Sequence, residues 1–237
     1  MAFRKSPVAS TGTCYYASKI TQVPLFFQYN ISEHTRLAVW KIEEQEEFFT
    51  ASVSNVRTIS HPHKRLQHLA GRYLLRHRFP DFPSGLIRIA DTRKPFLAGQ
   101  AYRFSISHAE DYAAAIVSTT HHTGIDVEVA SQKIHAVRHK FLSDHDAGIL
   151  FNNEENPTDL QGNMLTLTLA WSAKEAIYKW YGKGELDFKK DMILNSHCSH
   201  DQSGTLMCTF SKAAPREVCI HYRVFGRLVL TWLVEPE

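Results

Sequence analysis

Cysteine is scarce in this chain: Cys14, Cys198, Cys208 and Cys219 are the four present among 237 residues, and no two of them form a CxxC pair. That spacing offers no disulfide framework and reads as reduced thiols in a cytosolic protein. Long apolar runs are also missing. No stretch approaches the roughly 20 apolar residues of a membrane span. The opening MAFRKSPVASTG lacks the apolar centre of a secretory leader, so the expectation is a cytoplasmic protein with no membrane partner. Nor is there an excess of one charge. Lys and Arg total 27 against 24 Asp and Glu, a net charge of +3, which is too balanced to read as a nucleic-acid binder. Low-complexity linkers and internal repeats are absent as well. What is present, 43% hydrophobic and 22% charged residues, is enough for one large domain or two small ones with a sizeable core.

The pattern along the chain mixes strands and helices. PLFFQYNISEHTRLAVWKI, from Pro24 to Ile42, has two runs rich in β-branched and aromatic residues around a polar turn, which predicts a hairpin. SHPHKRLQHLAGRYLLRHR, from Ser60 to Arg78, places Leu66, Leu69, Ala70, Tyr73 and Leu74 at helical spacing, with Ser60 as the expected cap and a basic opposite face. A second hairpin is expected from Tyr102–Ser107 and Tyr112–Ser118. Helical segments follow around Val137 and after Ser143, with a loop at Asn152–Pro157, a long helix from about Met164 to Tyr181, and closing strands near Leu206, Val218–Val224 and Leu228–Leu233. HHTG at 121–124, with its glycine, is the best candidate junction between halves.

Two segments concentrate chemistry. In GIDVE (Gly124–Glu128), alternation along a strand projects Asp126 and Glu128 from one face while Ile125 and Val127 pack inward. Two such anions repel unless one is protonated, a Lys or Arg intervenes, or a hard divalent cation is shared; a solvated strand face beside an arginine is the plainer account. In WSAKEAIYKWYG (Trp171–Gly182), helical spacing puts Trp171, Lys174, Glu175 and Tyr178 on one side with Lys179 a turn beyond Glu175, and leaves Ala173, Ala176, Ile177 and Trp180 for a core. Glu175 and Lys179 alone would make an ordinary surface ion pair. FSISH (Phe104–His108) ends a strand on a Ser-His pair that can donate to a phosphate or cap a turn, and Arg93-Lys94-Pro95 sets two cations in a proline-held turn.

Taken in order, RKPF, FSISH, GIDVE and WSAKEAIYK resemble the 4′-phosphopantetheinyl transferase superfamily, and more narrowly its longer single-chain class with two similar halves. The resemblance runs from about Lys64 to Phe188, and GIDVE and WSAKEAIYK are its specific parts. It implies an α+β fold of two halves related by a pseudo-twofold, residues 1–121 on the nucleotide side and 122–237 on the metal and catalytic side, with the active site in the cleft between them. The implied reaction moves the 4′-phosphopantetheine arm of coenzyme A to a serine of an apo acyl or peptidyl carrier protein and releases 3′,5′-ADP.

By the same resemblance, Asp126, Glu128 and Glu175 hold Mg²⁺, Glu175 helps deprotonate the serine, and Lys179 meets the pyrophosphate. Lys94, Ser107 and His108 match positions that hold the adenine and 3′-phosphate, joined by Arg65 or Arg72 from the basic helix, with Arg65 preferred. The protein is expected to act as a monomer. Competing readings are a non-catalytic coenzyme A binding module, a zinc site at His197-Cys198-His200, and a nucleic-acid binder using the basic helix.

Overall fold

The computed structural model describes residues 25–53, 59–99, 101–151, 160–197, 201–212 and 214–236. Cys14, Cys198, His200 and the loop expected at Asn152–Pro157 lie outside them. The fold is α+β. The first sheet is antiparallel, in the order β1 (Leu25–Asn30), β2 (Thr35–Lys41), β6 (Tyr112–Ser118), β5 (Arg103–Ala109). A short helix α1 (Glu46–Thr50), the basic helix α2 (Pro62–Arg78) and a small hairpin of β3 (Ile87–Ile89) with β4 (Pro95–Leu97) lie between β2 and β5 in sequence. The chain continues through β7 (His122–Val129), α3 (Lys133–Val137), α4 (Asp144–Leu150), α5 (Leu160–Tyr181), β8 (Met192–Leu194), β9 (Ser203–Phe210), β10 (Arg216–Phe225) and β11 (Leu228–Glu235). These strands form a second antiparallel sheet in the order β7-β11-β10-β9-β8.

Strand alternation explains the layering. On β2 and β6, Ala38, Trp40, Ala113, Ala115 and Val117 face α2 and pack with Leu69, Ala70 and Leu74. Their neighbours Leu37, Val39, Ala114 and Ile116 face the other way and meet Ile125, Val127, Leu228, Leu230 and Trp232 of the second sheet. The far face of that sheet is covered by α5, whose Ala173, Ala176 and Ile177 pack against Leu206, Ile220 and Leu233. Full burial of each large apolar side chain contributes roughly 1.5–3 kcal/mol. Among the described residues no helix is long and apolar enough to cross a membrane.

Three local expectations need correction. The N-cap of α2 is His61, whose ring nitrogen accepts from the Lys64 amide at 3.4 Å, so Ser60 sits one residue too early. Lys174 does not share the face of Glu175; it is fully buried and paired with Asp146 at 2.7 Å. A carboxylate from another helix meets its ammonium inside the core, a partner that helical spacing within α5 cannot reveal. Gly124 is not a linker glycine but lies inside β7. A Cβ there would stand 2.0 Å from the carbonyl oxygen of Ala176 and 2.8 Å from Cβ of Trp180, so α5 rests directly on the β7 backbone.

Gly124→Ala is therefore expected to push α5 off β7. The obstructing atom is backbone and cannot rotate away, so the cost should fall at or above the ~1–3 kcal/mol typical of overpacking. Urea unfolding measures it, and a midpoint equal to wild type would contradict the contact.

Candidate active site

The site is built where the edge strands of the two sheets, β5 and β7, run side by side beneath α5. On β5, Phe104 and Ile106 pack toward α2, so Ser105 and Ser107 point the opposite way, toward β7. Ser105 Oγ accepts the Ile125 amide at 3.3 Å, and Ser107 Oγ donates to Asp126 Oδ1 at 2.7 Å. Lys179 reaches the same point from α5: its Nζ lies 2.8 Å from Ser107 Oγ and 2.5 Å from Asp126 Oδ1. Asp126 is 2% exposed, and its Oδ2 is buried without a hydrogen-bond partner among the described residues.

Two more carboxyl groups feel this node. Glu128, two residues along β7, accepts a hydrogen bond from Trp171 Nε1 at 3.0 Å. Burial, then the negative charge of Asp126, push its pKa up to about 7, with Trp171 and Lys179 opposing and Glu175 adding to the rise. Glu175, one turn before Lys179, is likewise raised to about 7, by burial and then by Asp126. Of the three anticipated ways of relieving the repulsion in GIDVE, the structure shows one directly, Lys179 against Asp126, and burial favours a second by raising Glu128 and Glu175 toward protonation. Among the described residues no three acidic, histidine or cysteine side chains converge into a ready metal cage. The donor chemistry nevertheless fits a hard cation. Asp126 has an unpartnered buried oxygen, and two carboxyls stand within electrostatic reach of it, a set that suits an ion which seldom relies on protein ligands alone.

The expected nucleotide-side residues are more dispersed. Lys94, beginning the turn into β4, donates from Nζ to the Trp180 carbonyl at 3.1 Å, capping the end of α5 as a cation should. Burial lowers its pKa to about 8. Its stem lies against Gly182, whose φ of +66° turns the chain after α5, and a Cβ there would meet Lys94 Cδ at 2.3 Å. His108 is one residue past Ser107 and so emerges on the opposite face of β5, exposed. Its pKa is lowered by partial burial and then by the Lys179 ammonium.

Arg65 is bound to Glu46 of α1 at 2.7 Å and to the Ile59 carbonyl at 2.8 Å. Arg72 is 6% exposed and donates from Nε to His68 at 2.9 Å. The structure thus joins Ser107, Asp126 and Lys179 directly and sets Glu128 and Glu175 within electrostatic reach; Lys94, Arg65 and Arg72 make separate local contacts. A cavity of about 330 Å³ adjoins the cluster, lined by Thr92, Lys94, Ser105, Ile106, Tyr178 and Lys179 among others.

Sequence reasoning missed Trp171 as the partner of Glu128, Ser107 as a partner of Asp126, and the close approach at Gly124. A glycine inside a strand pattern was the one available signal, because it can mark a close approach of another backbone. Cys208 and Cys219 are free thiols. The zinc reading at His197-Cys198-His200 falls largely outside the described residues.

Comparison with known proteins bears on this cluster. Residues 122–232 match the 4′-phosphopantetheinyl transferase superfamily. Enterobactin synthase component D from Salmonella austin is 33% identical over 123 residues, covering 49% of this chain and 47% of that protein. The chain therefore spans about half the length of the curated relative it matches. The resemblance carried by GIDVE and WSAKEAIYK holds: across residues 122–232 the chain carries the signature of the 4′-phosphopantetheinyl transferase superfamily.

Proposed function

We propose that this protein is a 4′-phosphopantetheinyl transferase, moving the phosphopantetheine arm of coenzyme A to a serine of an apo acyl or peptidyl carrier protein and releasing 3′,5′-ADP. The observation that carries the reading is the node of Lys179, Ser107 and Asp126, flanked by two carboxyl groups that titrate near neutrality. Such a cluster can hold a phosphate-bound cation on one side and take a proton on the other. Residues 1–121 form the nucleotide half and 122–237 the metal and catalytic half, related by a pseudo-twofold with the site between them. A helix laid on an antiparallel sheet in each part supports this arrangement.

In this mechanism Asp126, Glu128 and Glu175 would hold Mg²⁺, which when bound supplies charge neutralisation to the pyrophosphate. Lys179 turns from Asp126 to the pyrophosphate oxygens, where an ammonium counts most as charge develops on the leaving group. Glu175, with a pKa of about 7, sits in the range where a carboxylate can accept the proton of an incoming serine hydroxyl. The serine oxygen then bonds to the β-phosphorus, and the bond from that phosphorus to the bridging oxygen of 3′,5′-ADP breaks. Lys94, Ser107 and His108, with Arg65 or Arg72, hold the adenine and 3′-phosphate. The protein acts as a cytoplasmic monomer on an acidic carrier surface, with no nucleic acid or membrane partner.

Incubation with candidate apo-carriers, coenzyme A and Mg²⁺ should add one phosphopantetheine arm, read by mass spectrometry. Asp126→Ala and Glu175→Ala should lose transfer by at least a hundredfold, while Glu128→Gln should mainly raise the Mg²⁺ needed for half-maximal rate. Binding of coenzyme A with no transfer to any carrier would leave the binding-module reading in its place.

The raised carboxyl pKa values also fix a sign for stability without metal. Glu128 and Glu175 hold protons in the folded state up to about pH 7, whereas unfolded they release them near 4.3. Their contribution is therefore fully present below the unfolded value and is lost as pH rises through about 7. In EDTA, Glu175→Gln should be more stable than wild type at pH 8 by about 1–2 kcal/mol after solvent screening, the gap closing toward pH 5. Urea titrations at both pH values test this; a pH-independent difference would contradict it.

A further inference from the structure

We propose that Lys174 is a positioning residue for Glu128: its ammonium gathers the backbone carbonyls of Phe141 and Phe188, the rings of those two residues clamp Trp171, and the Trp171 indole N–H holds the Glu128 carboxyl. Each link is a direct contact. Lys174 Nζ donates to the Phe141 carbonyl at 2.8 Å, to the Phe188 carbonyl at 2.8 Å and to Asp146 Oδ2 at 2.7 Å. Those are three acceptors for three ammonium protons. The Phe141 ring meets the Trp171 ring edge-on with centroids 5.2 Å apart, and the Phe188 ring stacks on it at 5.5 Å. Trp171 Nε1 then donates to Glu128 Oε1 at 3.0 Å.

Asp146 is the fixed point of the chain. Its Oδ1 accepts the Leu194 amide at 2.8 Å, and its Oδ2 accepts the Ser143 amide at 3.0 Å as part of a capping box that starts α4. Lys174 and Asp146 are both fully buried, so leaving either unpaired is costly and the ammonium has little freedom to move. The loop after α3, which carries Phe141, and the turn after α5, which carries Phe188, are thereby tied to one atom. A Trp on a half-buried helix face has rotational choices, and two rings held from opposite loops remove them. Plain core ion pairing would require only Asp146; the two carbonyls chosen are those of the residues whose rings grip Trp171.

The consequence for metal use rests on the proposed transferase reading, but the positioning itself does not, and the test separates them. With indole ¹⁵N labelling, the Trp171 signal is assigned by its loss in Trp171→Phe. In the double variant Lys174→Met with Asp146→Asn, which leaves no unpaired buried charge, that signal should move toward the position of an unbonded indole. Its hydrogen exchange should quicken by at least tenfold, while the Trp40 signal stays in place. Phe188→Leu, which removes one ring and spares the ion pair, should do the same to a lesser degree and serves if the double variant does not fold. In transfer assays both variants should need several-fold more Mg²⁺ for half-maximal rate at unchanged coenzyme A KM. A Trp171 signal unmoved in the folded variants would overturn the proposal and leave Lys174 as a core ion pair alone. Failure of the wild-type protein to transfer would sink the functional reading, and the indole signal would still decide the positioning.

Discussion

Helix α5 lies on strand β7 with no side chain between them at Gly124, and the site's geometry follows from that contact. The Ala176 carbonyl faces the Gly124 backbone so closely that even a methyl group has no room. Once that point is fixed, the periods of the two elements do the rest. Two residues along β7 stands Asp126, and two further Glu128, both on the face turned to α5. One residue before Ala176 stands Glu175, and three after it Lys179, so the helix presents a carboxylate and an ammonium to the same strand face. On the other flank of the helix, Ser172 and Thr231 share a buried hydroxyl contact at 2.9 Å, tying α5 to β11 next to Asp126.

Close packing creates the electrostatic problem that defines the site. Three carboxyl groups in a half-dry seam cannot all ionise cheaply, because burial penalises each charge and each charge penalises the next. Lys179 relieves Asp126, which leaves Glu128 and Glu175 raised to about 7. That is an expensive arrangement for a fold alone. Groups poised near neutrality inside a tight, supported seam are what acid-base and metal chemistry require, and the strain is tolerated because Gly124, Ser172 and the buried Lys174 pair hold the backbone that carries them.

The sequence reading recovered elements with long, regular patterns and lost those that depend on a partner far along the chain. Helices α2 and α5, the strands of both sheets from β5 to β7 and β9 to β11, and the inward packing of Ile125 and Val127 were legible because period and apolar content agree there. The short β3, β8 and α1 were not, since three to five residues carry no readable period. In the site, spacing alone paired Asp126 with Glu128 and Glu175 with Lys179; that the strand and the helix meet was implied by the family resemblance, and the structure brings the two pairs into one region. Lys174 was misjudged because its fate is set by Asp146, nearly thirty residues earlier. Ser107 and His108 are sequence neighbours, yet strand alternation turns them to opposite faces, and the Ser107 contact to Asp126 is one that FSISH alone does not reveal.

Four cations proposed for coenzyme A have internal partners, and this bears on how an anion would be received. Lys94 caps α5, Arg65 holds Glu46, Arg72 leans on His68, and Lys179 holds Asp126. A phosphate bound at any of them would have to displace that partner. The exchange would be easiest at Lys94, which gives up one neutral carbonyl and whose pKa, lowered to about 8 by burial, an adjacent phosphate would raise. Arg65 and Lys179 would each give up a carboxylate: Glu46 is partly exposed and water can replace its partner, whereas Asp126 is buried and must find another counter-charge. That demand is met if a divalent cation arrives together with the phosphate, so the internal pairing of Lys179 favours binding metal and pyrophosphate as a unit over binding either alone.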